Sequence, residues 1–355
     1  MISKVAVLGL GKVGHLVAEL LADSGFEVVG VDSKPYIGTA ISRTEVVDVR
    51  EADPLTELLN TVDAVVTCLP YQLNIMVAEV ATRTKTHYFD LTEDVPTTQR
   101  IRELAETSET VMAPQCGLAP GFIGIVGADL AARFDTCRSL WMRVGALPQH
   151  PTGLLGYAFN WSPEGVVNEY LNDCEIIEDG IHKWVSSMQR KETIFINGNE
   201  LEAFTTSGGL GTICETYLGR IDNIDYKTIR YPGHVELMNF FFNELLLRKE
   251  RKLAGEILTN AKPPVDEDVV LVHVSAEGEK QKKLFRDEFV RSYLPKEILG
   301  QERTAIAWTT ATSVSAIVEM VASGKLASRG FVKQEEIQFS SFLETKNGAR
   351  YLTEF

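Results

Sequence analysis

A glycine-rich segment directly after a short apolar run constrains the fold of this chain more than any other feature. Lys4–Leu8 is apolar and β-branched, which predicts a buried strand. Gly9-Leu10-Gly11-Lys12-Val13-Gly14 follows at once and fits the pattern G-x-G-x-x-G. Residues 13–22 then carry apolar side chains at helical spacing, and Gly25 ends that helix. Strand, glycines and helix in this order predict a dinucleotide site.

The residues of this segment have separate roles in such a site. Gly9 permits the tight turn, Gly11 lets the backbone approach a pyrophosphate, and Gly14 lets helix and strand pack closely. Lys12 and Val13 open the helix, whose free N–H groups and partial positive charge attract phosphate. The alternative is a glycine turn in an α/β protein that binds no nucleotide, which the complete unit disfavours.

An acidic residue at the end of the next strand bears on the choice of cofactor. Residues 27–31 form the second apolar run, and Asp32 follows it. Its carboxylate would accept hydrogen bonds from ribose hydroxyls and repel a 2′-phosphate, which favours NAD. Lys34 could neutralise such a phosphate, so NADP stays open as a cofactor.

Four more short apolar runs predict that the same sheet continues. They span residues 45–49, 64–70, 88–91 and 110–113, with helical patterns at 55–59 and 75–81 between them. This alternation predicts a Rossmann-type, doubly wound parallel sheet, and hence an α/β fold.

Ligands of such sheets bind at the carboxyl ends of the strands. The candidate residues at those ends are Asp48, Val49, Cys68, Leu69, Pro70, Asp90 and Thr92. Asp48 could contact the adenine edge or cap the next helix. Gly121 lies in a Gly/Pro loop at 115–122 and either faces the cofactor or forms an ordinary turn. Cys116 in that loop is a reactive thiol or, more commonly for such a residue, a small buried hydrophobe.

Beyond this loop the pattern of the chain changes. Residues 139–144, 193–196 and 269–274 predict amphipathic strands of a mixed or antiparallel sheet, and 240–251 and 304–321 predict helices. We therefore expect a Rossmann dinucleotide-binding domain over 1–120 and a second, α+β substrate and dimerisation domain over 121–303. The C-terminal stretch 304–335 is expected to pack back on the first domain.

Composition excludes several classes of partner. Lys and Arg total 35 against 49 Asp and Glu, a net charge of −14, which disfavours nucleic acid and anionic membranes. No apolar run reaches 18 residues, which predicts no membrane span. The five cysteines form no CxxC pair, and the histidines show no metal-ligand spacing. The expectation is a cytoplasmic protein in a reducing compartment, without a metal.

Several segments together resemble the saccharopine dehydrogenase family, which includes lysine 6-dehydrogenases. They are Gly9–Gly14, Asp90-Leu91-Thr92, Gly117-Leu118-Ala119-Pro120-Gly121, Asn160-Trp161-Ser162-Pro163, Ile229-Arg230-Tyr231-Pro232-Gly233-His234 and the stretch from Ala316 to Gly330. They follow the order of the family and span nearly the whole chain.

The resemblance implies an NAD(P)-dependent oxidoreductase that acts on the C–N bond at the end of an amino-acid side chain. Hydride passes to the nicotinamide, and water hydrolyses the imine that results. Arg230 is the first candidate for the substrate carboxylate, since guanidinium binds carboxylate through two hydrogen bonds. Tyr231 and Thr92 are further substrate-binding candidates. Asp90 and His234 are the acid–base candidates, although Asp90 could equally cap a helix and His234 could be a loop residue.

Substrate and assembly follow less directly from the resemblance. Saccharopine, with three carboxylates, leads because Arg143, Arg220 and Lys227 offer further cations; free lysine, with one carboxylate, is the alternative. Carboxynorspermidine formation and a non-catalytic NAD sensor are more distant alternatives. The resemblance also implies a homodimer.

Overall fold

Two sheets organise the chain, one in each of two units. The computed structural model describes residues 2–36, 41 and 43–352. Unit 1 comprises Met1–Ile125 and Ala307–Phe355, and unit 2 comprises Val126–Ile306. Unit 1 is therefore built from chain segments on either side of unit 2.

Unit 1 contains a seven-stranded parallel sheet. Its strands are β1 (Lys4–Leu8), β2 (Glu27–Asp32), β3 (Arg43–Val46), β4 (Ala64–Thr67), β5 (His87–Asp90), β6 (Val111–Ala113) and β17 (Gly330–Phe331). They lie in the order β17-β6-β5-β4-β1-β2-β3, and every neighbouring pair is parallel. The doubly wound fold predicted from the sequence is confirmed, with β1 at the predicted residues.

Helices follow most strands of unit 1. They are α1 (Lys12–Asp23), α2 (Ala52–Leu59), α3 (Asn74–Thr84), α4 (Val95–Ala105) and α11 (Phe339–Leu343). The chain passes from one unit to the other within α5 (Phe122–Ala131) and again within α10 (Ala305–Ala322). Phe122 stacks on Tyr351 at 3.9 Å between ring centroids, so the last described residues belong to the core of unit 1. By length and composition α10 could cross a membrane, but 78% of it is buried inside the protein, as in a core helix.

The third predicted strand was wrong in its bounds. Residues 45–49 were expected, but β3 ends at Val46. The carboxylate of Asp48 accepts the backbone N–H of Arg50 at 3.0 Å, which folds the chain into a turn instead of extending the strand. Val49 is buried in the apolar core of unit 1.

Unit 2 contains an eight-stranded mixed sheet. Its strands are β7 (Thr136–Pro148), β8 (Cys174–Glu178), β9 (Ile181–Val185), β10 (Glu192–Ile196), β11 (Asn199–Thr205), β12 (Asn223–Arg230), β13 (Asp268–Lys280) and β14 (Lys283–Tyr293). The order is β10-β11-β12-β7-β13-β14, with β8 on β12 and β9 on β8. β7 and β12 are parallel and the other pairs antiparallel, which confirms the mixed sheet. A separate hairpin joins β15 (Lys296–Ile298) to β16 (Gln301–Arg303).

The helices of unit 2 are α6 (Pro163–Leu171), α7 (Ile213–Tyr217), α8 (His234–Asn239) and α9 (Arg251–Ala261). Ser162 caps α6, because its hydroxyl accepts the N–H of Gly165 at 3.1 Å. A single helix over 240–251 was wrong: a π-helical turn spans Phe240–Glu244 and a 3-10 turn spans Leu247–Lys249. Leu246 between them has φ +59°, and this left-handed backbone ends the helix.

Candidate functional site: a dinucleotide loop and a buried arginine

The glycine loop of unit 1 has the geometry of a phosphate cradle. Gly9 has φ +87°, and a Cβ on Gly14 would lie 1.8 Å from the carbonyl oxygen of Gly9. A Cβ on Gly11 would meet nothing within 4 Å, so open space lies beside that backbone. Gly11 is the N-cap of α1, and no side chain caps the helix there. The first N–H groups of α1, at Lys12 and Val13, therefore suit the pyrophosphate of a dinucleotide.

The neighbouring strand ends complete this cradle. Asp32 at the end of β2 accepts the N–H of Leu10 at 2.9 Å and that of Lys34 at 3.2 Å, so its carboxylate holds the glycine loop. A Cβ on Gly9 would lie 3.0 Å from the carbonyl oxygen of Cys68 and from a methyl of Leu69. The structure thus brings the glycines, Asp32, Cys68 and Leu69 together. These residues fit a nicotinamide dinucleotide.

Other predicted cofactor residues have structural partners. Arg50 hydrogen-bonds the Asp48 carboxylate, which lowers the pKa of Asp48 to about 2. Pro70 precedes the 3-10 turn Tyr71–Leu73. Gly121 has φ +132°, and a Cβ there would lie 2.1 Å from the oxygen of Gly117, so glycine is required by the loop itself. Contact of these residues with a cofactor stays a prediction.

Asp90 is the most constrained ionisable group at the carboxyl edge of the sheet. It is fully buried at the end of β5. The Tyr88 hydroxyl donates to it at 2.7 Å, and the backbone N–H groups of Thr92 and Gln115 each donate at 2.9 Å. Burial raises the pKa of Asp90 to about 6 despite these donors. Asp90 therefore changes ionisation just below neutral pH.

Glu93 was missed by the sequence interpretation. It lies three residues beyond Asp90 in the same loop, and burial raises its pKa to about 7, with added repulsion from the charges of Asp94 and Asp90. Nothing in the sequence distinguishes it from a surface glutamate before a helix. Thr92 is buried, and its hydroxyl accepts the N–H of Asp94 at 3.1 Å, so it supports this loop.

Cys116 is a small buried residue, as the sequence interpretation favoured. The thiol is buried, and it donates to the carbonyl oxygen of Ala113 at 3.1 Å. Burial raises its pKa well above the ordinary range, and the charge of Asp90 adds to that effect. A thiol held in this form is a poor nucleophile.

Arg230 forms the centre of a second cluster, in unit 2. Its side chain is only 3% exposed at the end of β12. Nε donates to the hydroxyl of Tyr170 at 2.8 Å, and Nη1 donates to the carbonyl oxygen of Ile229 at 2.8 Å. The guanidinium lies 4.5 Å from the ring centroid of Tyr157. Burial opposes the charge of Arg230, but Tyr170, Tyr157 and the charge of buried Glu169 raise its pKa. Among the described residues no ion pair within 4.0 Å joins Arg230 to a carboxylate.

His234 continues this cluster through a hydrogen-bond chain of fixed direction. Nδ1 lies 2.9 Å from the carbonyl oxygen of Leu155, which can only accept, so Nδ1 carries the proton. Nε2 then accepts from the Tyr170 hydroxyl at 3.0 Å, and Tyr170 in turn accepts from Arg230. Burial, together with the charge of Arg230, lowers the pKa of His234 to about 3. A neutral imidazole with both nitrogens engaged positions Tyr170 and Arg230; its acid–base role stays a prediction.

Two further residues fix the backbone of this cluster. The Glu202 carboxylate on β11 accepts the N–H groups of Gly233 and Val235 at 2.9 and 2.7 Å, which caps α8 from a neighbouring strand. The Tyr231 hydroxyl donates to the carbonyl oxygen of Pro148 at 2.9 Å. The sequence carried no signal for Tyr157, Tyr170 or Glu202, because they reach Arg230 and its turn through long-range contacts.

The other cations named from the sequence differ from Arg230, because they are ion-paired or exposed. Arg143 pairs with Glu192 at 2.5 Å and with Asp225 at 2.6 Å, and Lys227 pairs with Glu192 at 2.8 Å. These four side chains form a cross-strand network on β7, β10 and β12. Arg220 is exposed and lies against the ring of Tyr217. Arg230 is thus the one buried Lys or Arg of the described chain that has no ion pair.

A parallel sheet with a glycine loop at the start of α1 defines an NAD(P)-binding protein of the Rossmann class, and a second unit contains the buried arginine. The sequence profile "Saccharopine dehydrogenase NADP binding domain" matches residues 5–114, and "Saccharopine dehydrogenase C-terminal domain" matches residues 117–347. The chain belongs to the saccharopine dehydrogenase family, as the sequence motifs predicted.

Known relatives show the same similarity at low identity. "Alpha-aminoadipic semialdehyde synthase, mitochondrial" of Mus musculus is 25% identical over 272 residues, 70% of this chain. The chain spans only 29% of the length of that relative. "Saccharopine dehydrogenase [NADP(+), L-glutamate-forming]" of Pyricularia oryzae is 22% identical over 76% of this chain and 66% of its own length.

A solved structure has the same fold over nearly the whole chain. Apo saccharopine dehydrogenase (L-Glu forming) from Saccharomyces cerevisiae superposes with a TM-score of 0.75 at 18% identity, and 96% of each chain is covered. An engineered D-amino acid dehydrogenase bound to NADP+ is more distant, with a TM-score of 0.52 at 15% identity and full coverage of both chains.

Proposed function

We propose that this chain is an NAD(P)-dependent dehydrogenase that oxidises the C–N bond at the side-chain end of an amino acid, whose carboxylate binds to Arg230. The single observation that carries the proposal is the burial of the Arg230 guanidinium without an ion pair. A buried cation without an ion pair costs several kcal/mol, roughly, and the charge of buried Glu169 offsets only part of that cost. A carboxylate that binds two of its N–H groups would supply that ion pair.

The inventory of cations favours a substrate with one carboxylate. Arg143 and Lys227 are neutralised by Glu192 and Asp225, and of the buried cations in the part of the chain that the structure describes only Arg230 lacks an ion pair. Free lysine needs one such anchor, whereas saccharopine needs three. Lysine is therefore our first candidate. Saccharopine, which led from the sequence, is the second candidate, and the names of the Pyricularia and Saccharomyces relatives favour it.

The proposed reaction separates redox from proton chemistry. The cofactor accepts hydride from the carbon that bears the nitrogen, and the resulting imine takes up water to give an aldehyde and the free amine or ammonia. The substrate nitrogen must lose a proton before hydride leaves. Asp90 and Glu93 change ionisation near neutral pH and are the candidate proton acceptors of unit 1.

Three further properties complete the proposal. Asp32 makes NAD the preferred cofactor, although the name of the Pyricularia relative contains NADP(+). A homodimer and a cytoplasmic location are also proposed, the dimer from the family resemblance and the location from composition.

The test follows cofactor reduction by absorbance at about 340 nm. L-lysine and L-saccharopine are offered separately, each with NAD+ and with NADP+. Turnover on lysine alone supports the one-carboxylate site, and turnover on saccharopine alone moves the proposal to the second candidate. Tight cofactor binding without turnover on either substrate would contradict the proposal and favour the non-catalytic sensor.

A variant pair tests the role of Arg230. Arg230→Met should lower kcat/KM by about 100-fold, because one partner of a buried charge pair is removed. Arg220→Met removes an exposed arginine and should leave turnover unchanged. Circular dichroism and cofactor binding by unit 1 check that both variants fold. Unchanged turnover in a folded Arg230→Met variant would remove Arg230 from the site.

A further inference from the structure

The edge strand β14 of unit 2 exposes apolar side chains. In the described chain β14 pairs with β13 alone, so alternate backbone groups along its other side lack a strand partner. Leu284 is 74% exposed and Phe285 is 50% exposed. Soluble proteins usually shorten, bend or cover such edges, because a long exposed strand recruits another strand. β14 has 11 residues and contains no proline.

The segment 284–290, Leu-Phe-Arg-Asp-Glu-Phe-Val, is complementary to itself in antiparallel pairing. With Asp287 at the centre, Phe285 of one strand lies opposite Phe289 of the other. Leu284 lies opposite Val290, and each such pair occurs twice. Apolar and aromatic pairs of this kind stabilise antiparallel strands.

The charges of the segment match in the same register. Arg286 of one copy lies opposite Glu288 of the other, again twice, and within each chain the same two side chains already pair at 2.6 Å, so the four charges would form one network. Asp287 would face its own copy, but Arg133 already binds its carboxylate at 2.8 Å, so two aspartates and two arginines meet at the centre. A shift of one residue would instead place Phe285 opposite Glu288 and Leu284 opposite Phe289, and it would reverse the face of one sheet.

From this complementarity we infer that β14 is a self-association surface, which pairs antiparallel with β14 of a second copy of this chain around Asp287. The interface is isologous, as a two-fold dimer requires, and it joins two eight-stranded sheets edge to edge. This inference rests on the homodimer proposed above and assigns the interface of that dimer to β14. The far end of β14 is already in contact within the chain, since Asn197 donates to Ser292 at 2.9 Å, so the pairing is confined to 284–290.

Charge reversal on opposite positions separates contacts between copies from contacts within one chain. Within the chain Arg286 binds Glu288 at 2.6 Å and Glu277 at 3.2 Å, and mixing two variants does not restore these pairs. Arg286→Glu places Glu opposite Glu288, and Glu288→Arg places Arg opposite Arg286, so each variant repels its own copy. A mixture of the two restores opposite charges at every position. Glu200→Arg on β11 reverses an exposed charge away from β14 and serves as the control.

The measurement is sedimentation equilibrium of the full chain over a range of concentrations. We expect the parent and Glu200→Arg to be dimers, each β14 variant alone to dissociate at least about tenfold more readily, and the equal mixture to recover the dimer affinity of the parent. A monomeric parent, dimeric β14 variants, or a mixture that stays monomeric would overturn the inference. Circular dichroism confirms that each variant folds.

The dehydrogenase assay is run on the same samples. Absence of turnover in samples that dimerise as expected would contradict the proposed function and leave the interface in place. Turnover by a monomeric parent would instead support the proposed function and overturn the β14 interface.

Discussion

The neutral, buried state of His234 predicts how this protein responds to acid. Because the lowered pKa disfavours the protonated imidazole in the folded chain, protons bind the unfolded chain more strongly. The contribution of His234 to stability is therefore complete above pH 6.5, its ordinary pKa, and it is lost as the pH falls towards about 3. The perturbation that removes this effect is His234→Gln.

The magnitude follows from the two pKa values of His234. The value pH 5 lies about 1.5 units below the ordinary pKa of histidine. The His234 imidazole is therefore protonated in the unfolded chain and still neutral in the folded chain. One unit corresponds to about 1.4 kcal/mol, so the parent should lose about 2 kcal/mol between pH 8 and pH 5 through this residue alone. Other groups titrate in this range as well, and they cancel when the parent and the variant are compared at both values.

The assay is urea unfolding of the parent, His234→Gln and His150→Gln at pH 8 and pH 5. His150 is an exposed imidazole of the same unit, so its variant is the matched control. We expect His234→Gln to lose about 2 kcal/mol less than the parent on acidification. Equal losses in the parent and in His234→Gln would refute the directional chain through Tyr170, because they would show that His234 protonates in the folded state.

Four further predictions concern single residues. Asp32→Ser, which keeps a hydrogen-bond acceptor for the Leu10 N–H but removes the charge, should shift the NADP+ to NAD+ ratio of kcat/KM about tenfold or more towards NADP+. Gly14→Ala should abolish binding of reduced cofactor in a fluorescence titration, since the methyl would lie 1.8 Å from a carbonyl oxygen. The raised pKa of Asp90 makes its folded form bind protons more tightly, so the parent should lose up to about 3 kcal/mol of stability from pH 4 to pH 6, and urea unfolding of Asp90→Asn should lack that loss. Glu202→Ala should lower the free energy of unfolding by about 1–2 kcal/mol, because two N–H groups at the start of α8 lose their acceptor.

The sequence was most informative where the determinants are local. The first strand, the glycine loop and α1 follow from apolar spacing and from Gly9 and Gly14, where a side chain would be strained or blocked. Five of the seven strands of unit 1, β1, β2, β4, β5 and β6, are buried runs between turns, so their existence was readable from the sequence. β3 is mostly exposed, and its predicted boundary was wrong. The backbone conformation at Leu246 could not be predicted, because nothing in the residue types of an apolar run indicates a left-handed leucine.

The candidate site of unit 2 shows the opposite case. Arg230 was found through its motif, but its partner Tyr170 lies 60 residues away in the chain. The neutral state of His234 depends on that tyrosine and on the carbonyl oxygen of Leu155, and neither is recognisable from residue type. β14 was missed for a related reason: Arg286, Asp287 and Glu288 in succession are typical of a solvated loop until β13 supplies a strand beside them.

The return of the chain to unit 1 has a consequence for how the protein is made. Strand β17 closes one edge of the parallel sheet against β6, and Tyr351 packs on Phe122, so unit 1 lacks an edge and part of its core until the ribosome has passed residue 351. All residues of unit 2 are synthesised before that point. The dinucleotide-binding unit, although its synthesis begins first, is therefore the last to be completed. Unit 2 can fold before the final strand of unit 1 has been synthesised.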